Sequence, residues 1–127
     1  LRVTTRNTTI SCTERSVMDA LSNRLAAFLR LMRSSALLIT DGDRANMDVL
    51  LTMLGALDKD IVESYFGLRN QAPQSVEQLA AKHHISVEQM QHIIDTDLRR
   101  IAISPEWQMM WRKLPELVKK RAEAMRL

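Results

Sequence analysis

The stretch from Ser75 to Leu98, SVEQLAAKHHISVEQMQHIIDTDL, limits the possible folds more than any other part of the chain. Its apolar or small residues fall at Val76, Leu79, Ala80, Ile85, Val87, Met90, Ile93 and Ile94. That spacing fits two short amphipathic helices broken at His83-His84 better than one long helix. Ser75 and Ser86 each stand immediately before an apolar run, where a hydroxyl accepts a hydrogen bond from a first-turn amide. Ala80, next to the expected core residue Leu79, leaves room where two helices cross steeply. The turn is tightest at His84, and His is among the few non-Gly types that enter the left-handed region at modest cost. Together these features make a helix-turn-helix pattern.

Composition says what surrounds the motif. A chain of 127 residues with 46% hydrophobic content has material for one domain with a real core. Only three glycines and three prolines, among many Leu, Met, Ala, Gln and Arg, favour an all-helical protein of six or so helices. The lone Cys12 has no internal disulfide partner, and no apolar run approaches the roughly 20 residues that span a bilayer. A cytoplasmic protein with no membrane partner is expected. The first residue is Leu1 rather than Met, which suggests a piece of a longer protein.

The flanks organise around the motif. Leu1–Ile10 is Thr-rich without helical period, so residues 1–12 read as a flexible lead-in. Ser11 and Glu14 have capping-box spacing, and Val17, Leu21, Leu25, Phe28, Leu29 and Met32 form one stripe, predicting an amphipathic helix within 13–40. That stripe either packs on the core or docks on a partner. Asp41-Gly42-Asp43 reads as a turn before a helix whose face is Met47, Leu50, Leu51, Leu54 and Leu57, ending near Gly55. A second helix, capped by Asp58, carries Ile61, Tyr65 and Phe66, with Asp60 and Glu63 on its exposed side. Ser104-Pro105 starts a further helix with Trp107, Met110, Trp111 and Leu114 on one edge, available to close the core or to meet another protein. Pro115 separates a last basic helix, and residues 104–127 form a C-terminal helical extension.

The run Leu57 to Ile101, LDKDIVESYFGLRNQAPQSVEQLAAKHHISVEQMQHIIDTDLRRI, resembles the fourth, C-terminal domain of bacterial RNA polymerase sigma factors. The matching pieces are Leu57-Asp58, Tyr65-Phe66-Gly67-Leu68, Ser75-Val76-Glu77-Gln78-Leu79-Ala80, Ile85-Ser86 and Asp97-Leu98-Arg99-Arg100-Ile101. With the preceding helix, the likeness covers residues 44–102. It implies a transcription-initiation regulator that binds promoter DNA and docks on the RNA polymerase core through the flap of the beta subunit. The expected dock is a cleft between the helices at 43–55 and 58–66, and a second DNA-binding domain or protein is a further expected partner. The alternative is a sigma-shaped protein-interaction module with little DNA binding of its own.

A helix lying in the major groove shows its first two turns to base edges. Here the outward positions are Ser86, Glu88, Gln89, Gln91 and His92 as base readers, with Asp95 beyond. Typical sigma factors have arginines on this face, where this chain has Val87, Gln89 and Gln91. Phosphate contact therefore falls to Ser75, Lys82, Arg99, Arg100 and the basic flanks. Residues 1–40 hold six basic and two acidic side chains and 105–127 hold six and three, while 41–74 hold three and six. Low intrinsic affinity is expected.

Other chemistry is poorly supported. His83, His84 and His92 lack a second cysteine or an i, i+4 histidine pair for zinc, and the DGD triplet lacks the distal ligands of a calcium loop. No activated nucleophile, Gly-rich phosphate loop or paired-carboxylate constellation appears, so neither an enzyme nor a cofactor is expected.

Overall fold

The computed structural model describes residues 20–125, and the expected lead-in, the Ser11–Glu14 cap and Val17 lie outside that range. The described residues form seven α-helices and a short 3-10 turn, with no strand among them. In order these are α1 (residues 20–34), the 3-10 turn Ala36–Leu38, α2 (Asp41–Thr52), α3 (Ala56–Phe66), α4 (Val76–His83), α5 (Val87–Ala102), α6 (Pro105–Lys113) and α7 (Glu116–Ala124). The chain is all-α, as its composition and periodicity predict. None of these helices is long and apolar enough to cross a membrane.

The fold turns on α1. Leu25, Ala26, Ala27, Phe28 and Leu29 are all buried in succession, followed by Leu31 and Met32, so the helix is enclosed around most of its circumference. A helix apolar on nearly all sides belongs inside a core, and the two alanines let neighbours approach closely. Phe28 packs on Trp107 of α6 with ring centroids 5.4 Å apart. The Arg24 guanidinium stacks 4.9 Å from the Trp111 ring and lies 3.8 Å from Glu123 of α7. Arg30 sits over Phe66 of α3, and Arg33 donates to Gly67 O at 2.7 Å and Gln71 O at 2.6 Å. The α1 stripe thus packs on the core rather than facing out, and the tryptophan edge of α6 closes that same core. One apolar cluster draws side chains from all seven helices, so residues 44–102 share their interior with both flanks.

Several local expectations need correction. Asp41-Gly42-Asp43 is the first turn of α2 rather than a turn ahead of it, because the Thr40 side chain accepts from Asp43 N and the two carboxylates sit at the positive end of the helix. Gly55, with φ 91°, occupies the N-cap of α3, and Asp58 lies inside the first turn. Leu57 is 62% exposed: restarting the helix at Ala56 rotates it off the face made by Met47, Leu50, Leu51 and Leu54. Glu63 is buried rather than exposed, 3.6 Å from Arg69 where the chain folds back after α3. Lys59 ties α3 to α2 through Asp48 at 2.8 Å and Thr52 at 2.9 Å.

Candidate nucleic-acid interface

The α4–α5 pair is built by two matching caps. Ser75 Oγ accepts from Gln78 N at 3.1 Å while Gln78 Oε1 accepts from Ser75 N at 2.9 Å. Ser86 and Gln89 repeat the exchange at 3.0 and 3.1 Å. Each pair satisfies two amides that a helix start leaves open. Between them α4 ends at His84, φ 59° and ψ 41°, with His84 N donating to Ala81 O and Ile85 N to Ala80 O at 3.0 Å. This is the hydrogen-bond pattern of a left-handed helix stop, here carried by His where Gly is usual. Ile85 then packs against the core and Ser86 opens α5.

The inner side of the pair is apolar and closed. Leu79 and Ala80 of α4 and Met90, Ile94, Leu98, Ile101 and Ala102 of α5 are all buried in the one apolar cluster. Turned the other way, Ser86, Glu88, Gln89, Gln91, His92 and Asp95 are all exposed on α5, so the structure brings the five expected base readers to one surface. Four are already engaged in part: Ser86 and Gln89 in their cap, Gln91 Nε2 donating to Asp95 Oδ1 at 2.9 Å, and His92 Nε2 lying 3.5 Å from Thr96 Oγ1. Ser75, Lys82 and Arg100 are exposed, whereas Arg99 is half-buried and lines a recess of about 260 Å³ with Ser22, Asn23, Asp95 and Leu98. Arg100 stands about 20 Å along the helix from Ser86, at a rise of about 1.5 Å per residue. The cations are therefore not gathered with the polar face. His83 is half-buried, with its Nε2 enclosed and without a hydrogen-bond partner, while His84 and His92 are exposed. Among the described residues no three His, Cys, Asp or Glu side chains are placed to hold a metal.

One residue escaped the sequence reading. Asp97 is 2% exposed, its Oδ2 has no hydrogen-bond partner, and it faces the first turn of α3 at Asp58. Burial pushes its carboxyl up to about 7, the neighbouring Asp58 adds to the rise, and Arg100 opposes it. A signal was present: Asp97 is in register with Met90, Ile94 and Ile101, an acid on the apolar stripe.

A second recess, of about 670 Å³, opens between α2, the end of α1 and the loop after α3. Its charged lining is largely spent on the fold, since Arg33 holds two carbonyls, Arg69 faces Glu63 and Asp48 holds Lys59.

Compared with protein-family models, with curated proteins and with solved structures, the chain matches none.

Proposed function

We propose that this chain is a sigma-like transcription-initiation regulator of the cytoplasm, binding promoter DNA through α4 and α5 as a helix-turn-helix and docking on RNA polymerase. The observation that carries the reading is the pair of capped helices around left-handed His84, which holds a continuous polar face outward over a sealed apolar seam. Phosphate contacts come from Ser75, Lys82 and Arg100, with Arg99 at the margin. The role needs no catalytic group, cofactor or metal. The inner faces of α2 and α3 are filled by the protein's own core, so polymerase contact falls on the exposed apolar edge Val49, Met53 and Leu57.

A second reading, a sigma-shaped module that binds protein more than DNA, is favoured by the charge of the same face: Ser86 to Leu98 contains no Lys or Arg but has Glu88 and Asp95 exposed. Two measurements separate them. Anisotropy titration of promoter duplexes should give weak binding that falls steeply with salt, and binding that is tight and insensitive to salt contradicts the first reading. Capture of core polymerase or its isolated beta flap should be lost in Met53→Asp together with promoter activity. Promoter activation with no polymerase contact sinks both readings and leaves a free-standing helix-turn-helix regulator.

A further inference from the structure

Two groups of exposed apolar side chains lie beside charges of opposite sign. On α6 and α7, Met109 and Leu117 are exposed, and each is followed three and four residues later by two exposed cations, Arg112 and Lys113 on α6 and Lys120 and Arg121 on α7. Residues at that spacing are neighbours on a helix face. Lys119 Nζ donates to Arg112 O at 3.0 Å, which draws the two basic turns together. The nearby acids are engaged within the molecule, Glu116 by Lys119 and Glu123 by Arg24, and Glu106 stands at the opposite end of α6.

On α2 and α3 the pattern is reversed. Val49, Met53 and Leu57 are exposed, with exposed Asp41 two turns before Val49 on α2 and exposed Asp60 one turn after Leu57 on α3. Here the cations are the engaged groups, since Lys59 holds Asp48 and Thr52, and Arg44 donates to Met32 O. Helix α2 packs on α6, so the acidic and basic edges are carried by adjoining helices. Exposed apolar groups rimmed by charge mark a surface for another protein, and each edge here has the charge that the other lacks. A twofold axis satisfies both at once, because it sets the acidic edge of each copy on the basic edge of the other.

We infer that two copies of this chain pair through these edges, with Met109 and Leu117 of one covering Val49, Met53 and Leu57 of the other and the aspartates facing the cations. The apolar edge of α2 and α3 is also the proposed polymerase contact, so pairing and polymerase binding exclude one another. The pairing itself does not rest on the transcription reading.

The test is analytical ultracentrifugation of the full chain over a range of concentrations, without DNA or polymerase, for wild type, D41K/D60K, K113E/K120E and Leu117→Ser. Wild type should pass from one copy to two in the micromolar range at low salt, and about 0.5 M salt should weaken the pairing about tenfold. Each charge-reversed variant should stay monomeric where wild type is paired, since reversal sets like charges against one another. Mixed in equal amounts, the two should pair again, because each reversed edge then meets a reversed partner. Leu117→Ser keeps every charge and should weaken pairing severalfold, which separates a docked apolar face from general attraction of opposite charges. Helical signal and melting temperature should stay close to wild type, as Asp41, Asp60, Lys113 and Lys120 are exposed and no hydrogen bond or ion pair holds their side chains among the described residues. A wild-type chain that stays monomeric at low salt overturns the inference, including one whose edges take up added duplex or core polymerase instead. So does a mixture of the two folded variants that fails to pair, or a Leu117→Ser variant that pairs as tightly as wild type. None of these results touches promoter binding, which is measured separately.

Discussion

Two residues with positive φ end helices here, and they differ in what a side chain would meet. Gly67, at φ +69°, has no space: a Cβ there would lie 2.7 Å from Pro73 N and 2.9 Å from Arg33 Nη1. Gly67→Ala should therefore cost more than about 1 kcal/mol in urea unfolding, because both the backbone conformation and the Arg33 bridge to Gly67 O are disturbed. His84, at φ 59°, points into solvent. His84→Gly should leave stability unchanged or raise it by up to about 1 kcal/mol, whereas the β-branched His84→Val should lower it by about 1–2 kcal/mol. Equal melting temperatures for the Gly and Val variants would show that the left-handed turn is not retained. The stop at His84 was legible in the sequence as a break between two periodic runs. The crowding at Gly67 was not, since Arg33 and Pro73 come from distant or looped chain.

At the scale of elements, the two outward faces of α5 separate structure from recognition. Ser86→Ala removes the cap that holds Gln89 N, and should cost about 0.5–2 kcal/mol of stability. Gln91→Ala and His92→Ala sit on the same exposed side but hold only i, i+4 contacts. They should keep the melting temperature within about a degree or two of wild type while changing output from a cognate promoter. A loss of stability like that of a core truncation would mean that these side chains do not face out. The α1 helix gives the opposite case. Phe28 is fully buried against Trp107, so Phe28→Ala should cost about 3–5 kcal/mol, read as a lowered urea midpoint. A stripe of apolar residues announced α1, but periodicity alone could not tell a helix lying on a core from one lying within it.

Across the whole molecule, the pair Asp58 and Asp97 links α3 to α5 and makes stability depend on pH. The folded carboxyl of Asp97 titrates at about 7, above its ordinary value of 3.8. Below about pH 4 both folded and unfolded chains hold the proton; as pH rises toward 7 the unfolded chain releases it first, so the folded state is progressively disfavoured. Stability should fall from about pH 4 to about pH 7 by an amount on the order of a few kcal/mol, at about 1.4 kcal/mol per pKa unit. Asp97→Asn stays neutral and can still donate to Asp58, so this variant should be more stable than wild type above pH 7 and show a flatter profile. Denaturant melts of both proteins at acidic and mildly alkaline pH measure the difference; parallel profiles would remove Asp97 as the cause.

By itself the sequence determined the all-helical class, the two Ser caps, the break at His84 and the outward set from Ser86 to His92, because each depends on neighbours three or four residues away. Tertiary structure decided which helix is central and where the charges go. Leu57 turned outward when α3 began at Ala56, Glu63 was buried facing Arg69, and Asp97 was enclosed beside Asp58. The first two do not follow from local period, and for Asp97 the period marks the apolar stripe but not the Asp58 beside it, because burial is set by which elements meet, and here α1 draws the flanks and the capped pair into one core.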